Sequence, residues 1–334
     1  MRRVVIVTIV ALGCGIAFWS FADPSLITAT LDGLSVEIVL ALLALLGVNE
    51  LVKGLRWAWY LRAAQLPIRV VDGLTSYLAS QAACSLPGGA LLSARLAEEH
   101  GGGRIRLRHT TPPLLVQGFG DLFAVSLLAL GGIVLTGQAS YQLAAPAAGG
   151  AIVLLFVTGA RSDRFGTALT GLLERSRYTR RLVPAERDAR MTLATLCTPR
   201  ALAPGVLASL VSSLVIAAIL VVLAEALTLR GLHLHEAIYV HGMTMLAHFL
   251  VPIPNGFGTN ELSVIGLLNI VGIGFGRATA IAVTYRAFGL AFRTVIGLAV
   301  LLIRYHRILF ALRRPMLPQT PPALQLELAA ERRE

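Results

Sequence analysis

The stretch that decides the fold is VPIPNGFGTNE, residues 251–261, which interrupts a long apolar region. The decapeptide HGMTMLAHFL precedes it, and LSVIGLLNIVGIGFG follows it. Two prolines, two glycines and an asparagine would break a membrane-spanning helix, whereas a soluble loop would not have such apolar flanks. The sequence therefore predicts two apolar half-helices within residues 236–276, joined by a polar turn at membrane depth.

The composition places the whole chain in a membrane. Its 334 residues are 56% hydrophobic and only 14% charged, and the mean hydropathy is +0.74. Several apolar runs reach the length of about 20 residues that a helix needs to cross a bilayer. The runs are continuous and show no period-two alternation, which argues against a β-barrel. The sequence thus predicts an all-α polytopic membrane protein.

About six full spans are predicted, in a single membrane domain over residues 1–310 that is followed by a disordered tail at 311–334. The spans are 3–21, 35–52, 112–136, 143–160, 201–229 and 278–303. After the second span, the basic residues and tryptophans of segment 53–70 predict an amphipathic piece that lies in the membrane interface. Glu50, at the end of that span, is expected to be interfacial.

The net charge of +11 comes mainly from arginines in short loops. This distribution follows the positive-inside rule and does not indicate a nucleic-acid partner. The loop 161–200 carries nine arginines and is the clearest cytoplasmic marker. We expect a multi-pass protein of a bacterial cytoplasmic membrane, with both termini in the cytoplasm.

A second broken segment lies at 72–100, where SLPGG interrupts the apolar run. Its Pro87 and Gly89 precede Pro254 and Gly256 by 167 positions. Each half is too short to span a bilayer, so both segments are predicted to be re-entrant hairpins.

The hairpins belong to an internal repeat. QGFGDLF at 117–123 precedes the related RAFGLAF at 286–292 by 169 positions, so repeat one covers about 72–136 and repeat two about 236–303. Three spans separate the hairpins and would make them enter the membrane from opposite sides. Inverted repeats with paired broken helices indicate a transport site near the midplane. The alternative is a duplication kept only for folding.

Small residues and prolines at the two turns are predicted to act as turn or hinge positions. They are Pro87, Gly88, Gly89, Pro252, Pro254, Asn255, Gly256 and Gly258. Thr259 or Asn260 is expected to cap the outgoing helix, and Glu261 falls in its first turn, where a carboxylate suits the helix dipole.

Charged residues at membrane depth are the candidates for binding. Arg286 lies about 13 Å into the last span, where a charge is costly and indicates function. Arg293 follows two turns later on nearly the same face, and two guanidinium groups suit a phosphate-bearing headgroup. The alternative is that Glu261 only caps its helix and neutralises Arg286. Repeat one offers Asp121, Arg95 and Gln117, the last at the place of Arg286.

Neither a metal site nor a catalytic site is predicted. The residues His233, His235, Glu236, His241 and His248 have no spacing typical of metal ligands, and no motif of nucleophilic or cofactor chemistry occurs. Two alternatives stay open. The chain is an intramembrane lipid-modifying enzyme with Glu261 or Asp121 as base, or it is a non-catalytic partner of a lipid- or glycolipid-modifying enzyme that docks on the loop 161–200.

Four motifs in order carry a family resemblance: LRW at 55–57, LPGG at 86–89 with Arg95, Asp121, and PIPNGFGTNE at 252–261 followed by Arg286. Over about residues 35–305 the sequence resembles the flippase-like transmembrane region of lysylphosphatidylglycerol synthases. Asn255 replaces a family glycine, and Gln117 and Gly118 stand near where the family tends to have Glu-Arg.

The resemblance implies a protein that binds or translocates membrane lipids, without the aminoacyl-transferase domain and so without lipid aminoacylation of its own. We expect Arg286 and Arg293 to hold a lipid phosphate. Glu261 is expected to pair with Arg286 when the site is empty.

Overall fold

A computed structural model gives the fold of part of the chain. It describes residues 34–86, 89–100, 105, 107–138, 140–162, 183–228, 230–250, 256 and 258–312. The predicted first span at 3–21 and residues 313–334 of the predicted tail lie outside these ranges. The same holds for five of the predicted turn residues, Pro87, Gly88, Pro252, Pro254 and Asn255.

Within these ranges the chain forms α-helices and short 3₁₀ turns but no strand. The α-helices are α1 Val36–Ala63, α2 Val70–Ser80, α3 Gly89–His100, α4 Leu107–Thr136, α5 Ala144–Arg161, α6 Val183–Leu196, α7 Pro199–Leu227, α8 Leu234–Leu250, α9 Thr259–Ile270 and α10 Phe275–Leu312. The 3₁₀ turns are Gln81–Ala83 and Ser140–Leu143. The all-α prediction is confirmed.

Five of the described helices are long and apolar enough to cross a membrane: α1, α4, α5, α7 and residues 275–305 of α10. They match the second to sixth predicted spans, so the chain is an integral membrane protein. The hairpin helices α2 and α3 have 11 and 12 residues, which correspond to about 17 Å each. Their re-entrant insertion stays a prediction.

Helix α1 corrects the predicted boundary of the second span. It begins after Ser35, whose hydroxyl accepts the Ile38 N–H at 3.4 Å, and it continues unbroken to Ala63. The predicted interfacial segment after residue 52 is therefore wrong. Trp57 is fully buried and its indole N–H donates to Ser76 of α2 at 3.1 Å, because α2 folds back along this end of α1.

The helix contacts follow the same order in two parts of the chain. Helices α1 to α4 form one set and α7 to α10 the other, and in each set a hairpin packs against the long helix that follows it. The sets also interlock, since α4 packs on α8, α10 packs on α2, and α1 packs on α7. The opposite orientation of the two hairpins stays a prediction.

The contact between α4 and α8 is close because glycines face it from both helices. A Cβ at Gly132 would lie 2.6 Å from the Cα of Tyr239, and one at Gly242 would lie 2.9 Å from the Cα of Ala129. Small residues allow helix backbones to approach in this way inside membranes. The crossing fixes repeat one against the hairpin of repeat two.

Candidate functional site

Helix α1 carries a buried carboxylate in its central part. Glu50 is 1% exposed; its Oε1 accepts the Asn49 amide at 2.9 Å and its Oε2 accepts the Tyr77 hydroxyl of α2 at 3.0 Å. Ser212 of α7 donates to the Asn49 Oδ1 at 2.7 Å. Partners on α2 and α7 thus enclose this turn of α1, while the interfacial position expected for Glu50 stays a prediction.

Arg56, two turns further along α1, forms an ion pair with the predicted site residue Asp121 of α4. The Arg56 Nη2 donates to the Asp121 Oδ2 at 3.0 Å, while Nη1 contacts the Asp121 Oδ1 and the Ser209 hydroxyl of α7. The Arg56 side chain is 1% exposed and that of Asp121 35%. Sequence reasoning did not select Arg56, although it lies in the LRW motif that carries the resemblance.

Repeat two holds the second buried ion pair. The Arg286 Nε lies 3.0 Å from the Glu261 Oε1, and the two side chains are 12% and 4% exposed. Arg286 follows Phe275, the first residue of α10, by eleven positions, which places it about 16 Å along the helix. The pairing that the sequence predicts between these residues is therefore present in the structure.

The start of α9 corrects the predicted cap. The N-cap is Gly258, with φ at +82°, and Thr259 is the first helical residue. The Glu261 Oε2 accepts the Gly258 N–H at 2.7 Å, so the carboxylate itself satisfies the cap backbone. Thr259 donates instead to the Gly256 carbonyl at 3.2 Å, and the buried Oδ1 of Asn260 has no hydrogen-bond partner among the described residues.

Two predicted turn glycines allow close backbone packing. Gly256 has φ at +63°, and a Cβ there would lie 2.5 Å from the His248 Nδ1 at the end of α8. A Cβ at Gly89 would overlap the Ala83 carbonyl oxygen in the first hairpin. The structure thus requires glycine at both positions, while a hinge motion at either turn stays a prediction.

A small polar cavity of about 50 Å³ lies between α1 and α10, with Ile216 of α7 at its wall. Its polar lining residues are Asn49, Glu50, Lys53, Tyr285, Arg286 and Arg293. The two arginines that the sequence places on one face therefore share one cavity. Arg293 is positioned by a hydrogen bond from its Nε to the Gly289 carbonyl at 3.0 Å.

Lys53 lines the cavity, although the sequence predicts that segment 53–70, which it begins, lies in the membrane interface. It lies close enough to Glu50, Asp121 and Arg293 for their charges to act on it. Three basic side chains line this cavity, Lys53, Arg286 and Arg293, together with the carboxylate of Glu50. With Glu261 counted as the partner of Arg286, the formal charges of these groups leave one positive charge in excess.

Like Asp121, the predicted binding residues Arg95 and Gln117 do not line this cavity. Arg95 pairs with Glu98 at 2.6 Å, and its side chain is 60% exposed, so the structure places it outside this cavity. Gln117 lies on α4, one turn before Asp121, and its Oε1 is buried without a hydrogen-bond partner in the described structure.

An ion pair between Arg230 and Glu236 lies at the start of α8, next to His233. The Glu236 carboxylate accepts the Arg230 guanidinium and the His233 backbone N–H, both at 3.0 Å. The rings of His233 and His235 stack with centroids 5.5 Å apart. Among the residues that the structure describes, no three His, Cys, Asp or Glu side chains are grouped to hold a metal ion.

Comparison with known proteins adds a family match. The family model described as "Lysylphosphatidylglycerol synthase TM region" matches residues 4–297. No curated protein and no solved structure matches the chain.

Proposed function

Because the chain belongs to the lysylphosphatidylglycerol synthase TM region family, we propose that it binds a membrane lipid with a phosphate-bearing headgroup and moves it across the bilayer. The observation that carries this proposal is the shared cavity of Lys53, Arg286 and Arg293. Charges at such depth are costly and are retained where they meet a ligand or an ion.

The chemistry of the cavity favours anion binding over catalysis. Guanidinium groups bind phosphate through two parallel hydrogen bonds, and they stay protonated in proteins, so Arg286 and Arg293 cannot act as general bases. Each carboxylate oxygen of Glu50 already accepts a hydrogen bond, one from Asn49 and one from Tyr77. We therefore propose a non-enzymatic role for this cavity, with the excess positive charge available to a lipid phosphate.

Glu261 takes the position beside Arg286 that we propose for the lipid phosphate. It neutralises Arg286 at 3.0 Å, which offsets the cost of burying an unpaired guanidinium. A phosphate that enters can take the place of the carboxylate, since both groups present two oxygen acceptors to a guanidinium. Glu261 would keep its bond from the Gly258 N–H at 2.7 Å, so the start of α9 would stay capped during the exchange.

The volume of the cavity indicates a closed state. A space of about 50 Å³ holds roughly four water molecules at 10–15 Å³ each, which is too little for a lipid headgroup. Each hairpin contacts one of the lining residues, since Tyr77 of α2 donates to Glu50 and Glu261 of α9 pairs with Arg286. We propose that movement of one hairpin at a time opens the cavity to one side of the membrane.

Lipid binding by purified protein tests this proposal. In native mass spectrometry with phosphatidylglycerol, Arg293→Ala should weaken binding by about tenfold, the value of one charge-assisted hydrogen bond. A phosphate-free galactosyl diacylglycerol should bind weakly to every variant. Arg95→Ala is the matched control, because its exposed guanidinium pairs outside the cavity. Equal binding of both lipids, or equal binding by Arg293→Ala and Arg95→Ala, would refute the assignment.

The proposed setting is the cytoplasmic membrane of a bacterium, with both termini in the cytoplasm. The basic loop 161–200 supports this orientation through the positive-inside rule. The same loop would be available to a lipid-modifying enzyme on the cytoplasmic side, and we propose it as the docking segment if such a partner supplies the lipid.

A further inference from the structure

A second, apolar pocket lies between α4, α5 and α7, and we infer that it binds one acyl chain of a membrane lipid. This inference deepens the proposed function, on which it rests, because it assigns a site to the hydrocarbon part of the lipid. The pocket has a volume of about 540 Å³, roughly ten times that of the polar cavity.

The lining of the pocket is entirely apolar. Phe119 of α4 and Phe156 of α5 stack in it with ring centroids 3.7 Å apart, and Leu207 and Leu210 supply the wall from α7. A ligand in this pocket would find no hydrogen-bonding side chain and no charge among the lining residues. Its chemistry is therefore that of a hydrocarbon.

The depth of the pocket places it in the hydrocarbon region of a bilayer. Gly120, one of its lining residues, lies thirteen residues from the start of α4 and sixteen from its end. At 1.5 Å per residue these intervals are about 20 and 24 Å. The middle of a spanning helix faces lipid tails, so an acyl chain is the apolar molecule that reaches this depth.

The pocket and the polar core share two helices at one level. Gly120 and Leu210 line the pocket. A residue adjacent to each of them, Asp121 on α4 and Ser209 on α7, contacts Arg56. Neighbours on a helix differ by only 1.5 Å in height. Asp121 in turn lies close enough to Lys53, which lines the polar cavity, for its charge to act on it. A lipid whose headgroup enters that cavity can therefore keep one tail against α4 and α7.

The size of the pocket argues against a protein partner as its occupant. An α-helix with its side chains is about 10 Å wide, so about 540 Å³ would enclose little more than one turn. A single flexible hydrocarbon chain fits such a volume without a matching surface. The pocket is thus assigned to a lipid tail and not to a transmembrane helix of another protein.

Gly150 offers a way to fill the pocket without disturbing the fold. It lines the pocket from α5, and a Cβ there meets no atom within 4 Å. Gly131 of α4 is the matched control, because a Cβ there also meets nothing within 4 Å and the residue does not line the pocket. The test compares Gly150→Phe with Gly131→Phe.

The probe is phosphatidylglycerol with a photoreactive diazirine on one acyl chain, in proteoliposomes. Labelling of Phe119, Phe156 and their neighbours should fall about tenfold or more in Gly150→Phe, since a filled pocket removes the burial of several methylene groups. Labelling at Val134 and Leu135, which are 73% and 66% exposed, should not change and serves as the reference. Gly131→Phe should label as wild type.

Several outcomes separate this inference from the proposed function. Unchanged pocket labelling in Gly150→Phe, or pocket labelling no stronger than that of Val134, would overturn it. Ala203→Phe fills the pocket from α7. If Gly150→Phe does not fold, labelling of the pocket should fall in Ala203→Phe instead. In Arg286→Ala, headgroup binding should fall while labelling of the pocket persists. If headgroup binding and pocket labelling were both lost, the lipid would bind elsewhere. If neither were lost, only the assignment of the polar site would be refuted.

Discussion

The two repeats have the same arrangement of helices but different polar chemistry. At the offset of 167 positions Glu261 corresponds to Ala94, and at the offset of 169 Arg286 corresponds to Gln117. Ala94 is fully buried in an apolar cluster with Trp57. The ion pair of repeat two therefore has no counterpart at the equivalent place in repeat one.

Beside repeat one, charged residues lie on the helix that precedes it. Glu50, Lys53 and Arg56 all lie on α1, which precedes the first hairpin, whereas α7, the corresponding helix of repeat two, has no charged residue among its buried ones. The two parts of the chain therefore place their charged residues on different helices. The Arg56–Asp121 pair joins α1 to α4 and the Glu261–Arg286 pair joins α9 to α10, and of these four residues Arg286 lines the cavity.

The largest expected effect is on the pair of repeat one. In Asp121→Ala the almost fully buried Arg56 loses its counter-charge, which should lower the free energy of unfolding by about 3–5 kcal/mol. Ser209→Ala removes only a hydrogen bond and should cost about 1 kcal/mol. Denaturant unfolding in detergent measures the free energy of unfolding of both variants. A decrease below about 1 kcal/mol for Asp121→Ala would show that this ion pair does not stabilise the helix bundle.

The next effect concerns the interlock of the two sets of helices. Gly242→Leu forces a side chain against Ala129 of α4 and should cost about 1–3 kcal/mol through overpacking. Gly131→Leu has open space around it and should be neutral within about 0.5 kcal/mol. Similar melting temperatures for the two variants would mean that the crossing of α4 and α8 is not tightly packed.

The smallest effect concerns the start of the first hairpin. Asp72, at the start of α2, is 5% exposed and contacts Arg69 at 2.8 Å, Arg304 at 3.3 Å and His100 at 3.5 Å. Burial alone would raise the pKa of Asp72, but Arg69, His100 and Arg304 together lower it below its ordinary value.

A carboxyl with a lowered folded-state pKa stabilises the fold above its unfolded pKa of about 3.9, and that contribution disappears as the pH falls through the folded value. Asp72→Asn should therefore lower the melting temperature by about 2 °C at neutral pH, and wild type and variant should converge in acid. Thermal unfolding between pH 7 and pH 3 measures this. A difference that grows on acidification would contradict the sign.

Much of this architecture was predictable from the sequence. Five spans, the contact of Arg286 with Glu261, and the shared face of Arg286 and Arg293 follow from apolar run length, helical periodicity and the cost of buried charge. The glycine at 258 was predicted as a turn residue, although its role as N-cap depends on a φ of +82° that no local pattern specifies.

The contribution of α1 was not predictable by the same rules. Basic residues after an apolar run are normally cytoplasmic, so Lys53 and Arg56 mark the end of a span when read locally. The charge of Arg56 is offset by Asp121, which lies 65 positions away in the chain, and Glu50 acts on Lys53 from the preceding turn. Only the packing of α4 and α7 against α1 brings these partners together.

Transport of fluorescent phosphatidylglycerol across proteoliposome membranes tests the central claim most directly. Arg286→Ala and Glu261→Gln should each slow translocation by about tenfold or more, since each removes a charge-assisted interaction at the site. Arg95→Ala should translocate the lipid as wild type does. If Arg286→Ala and Glu261→Gln both translocated the lipid at the wild-type rate, the proposed mechanism would be wrong.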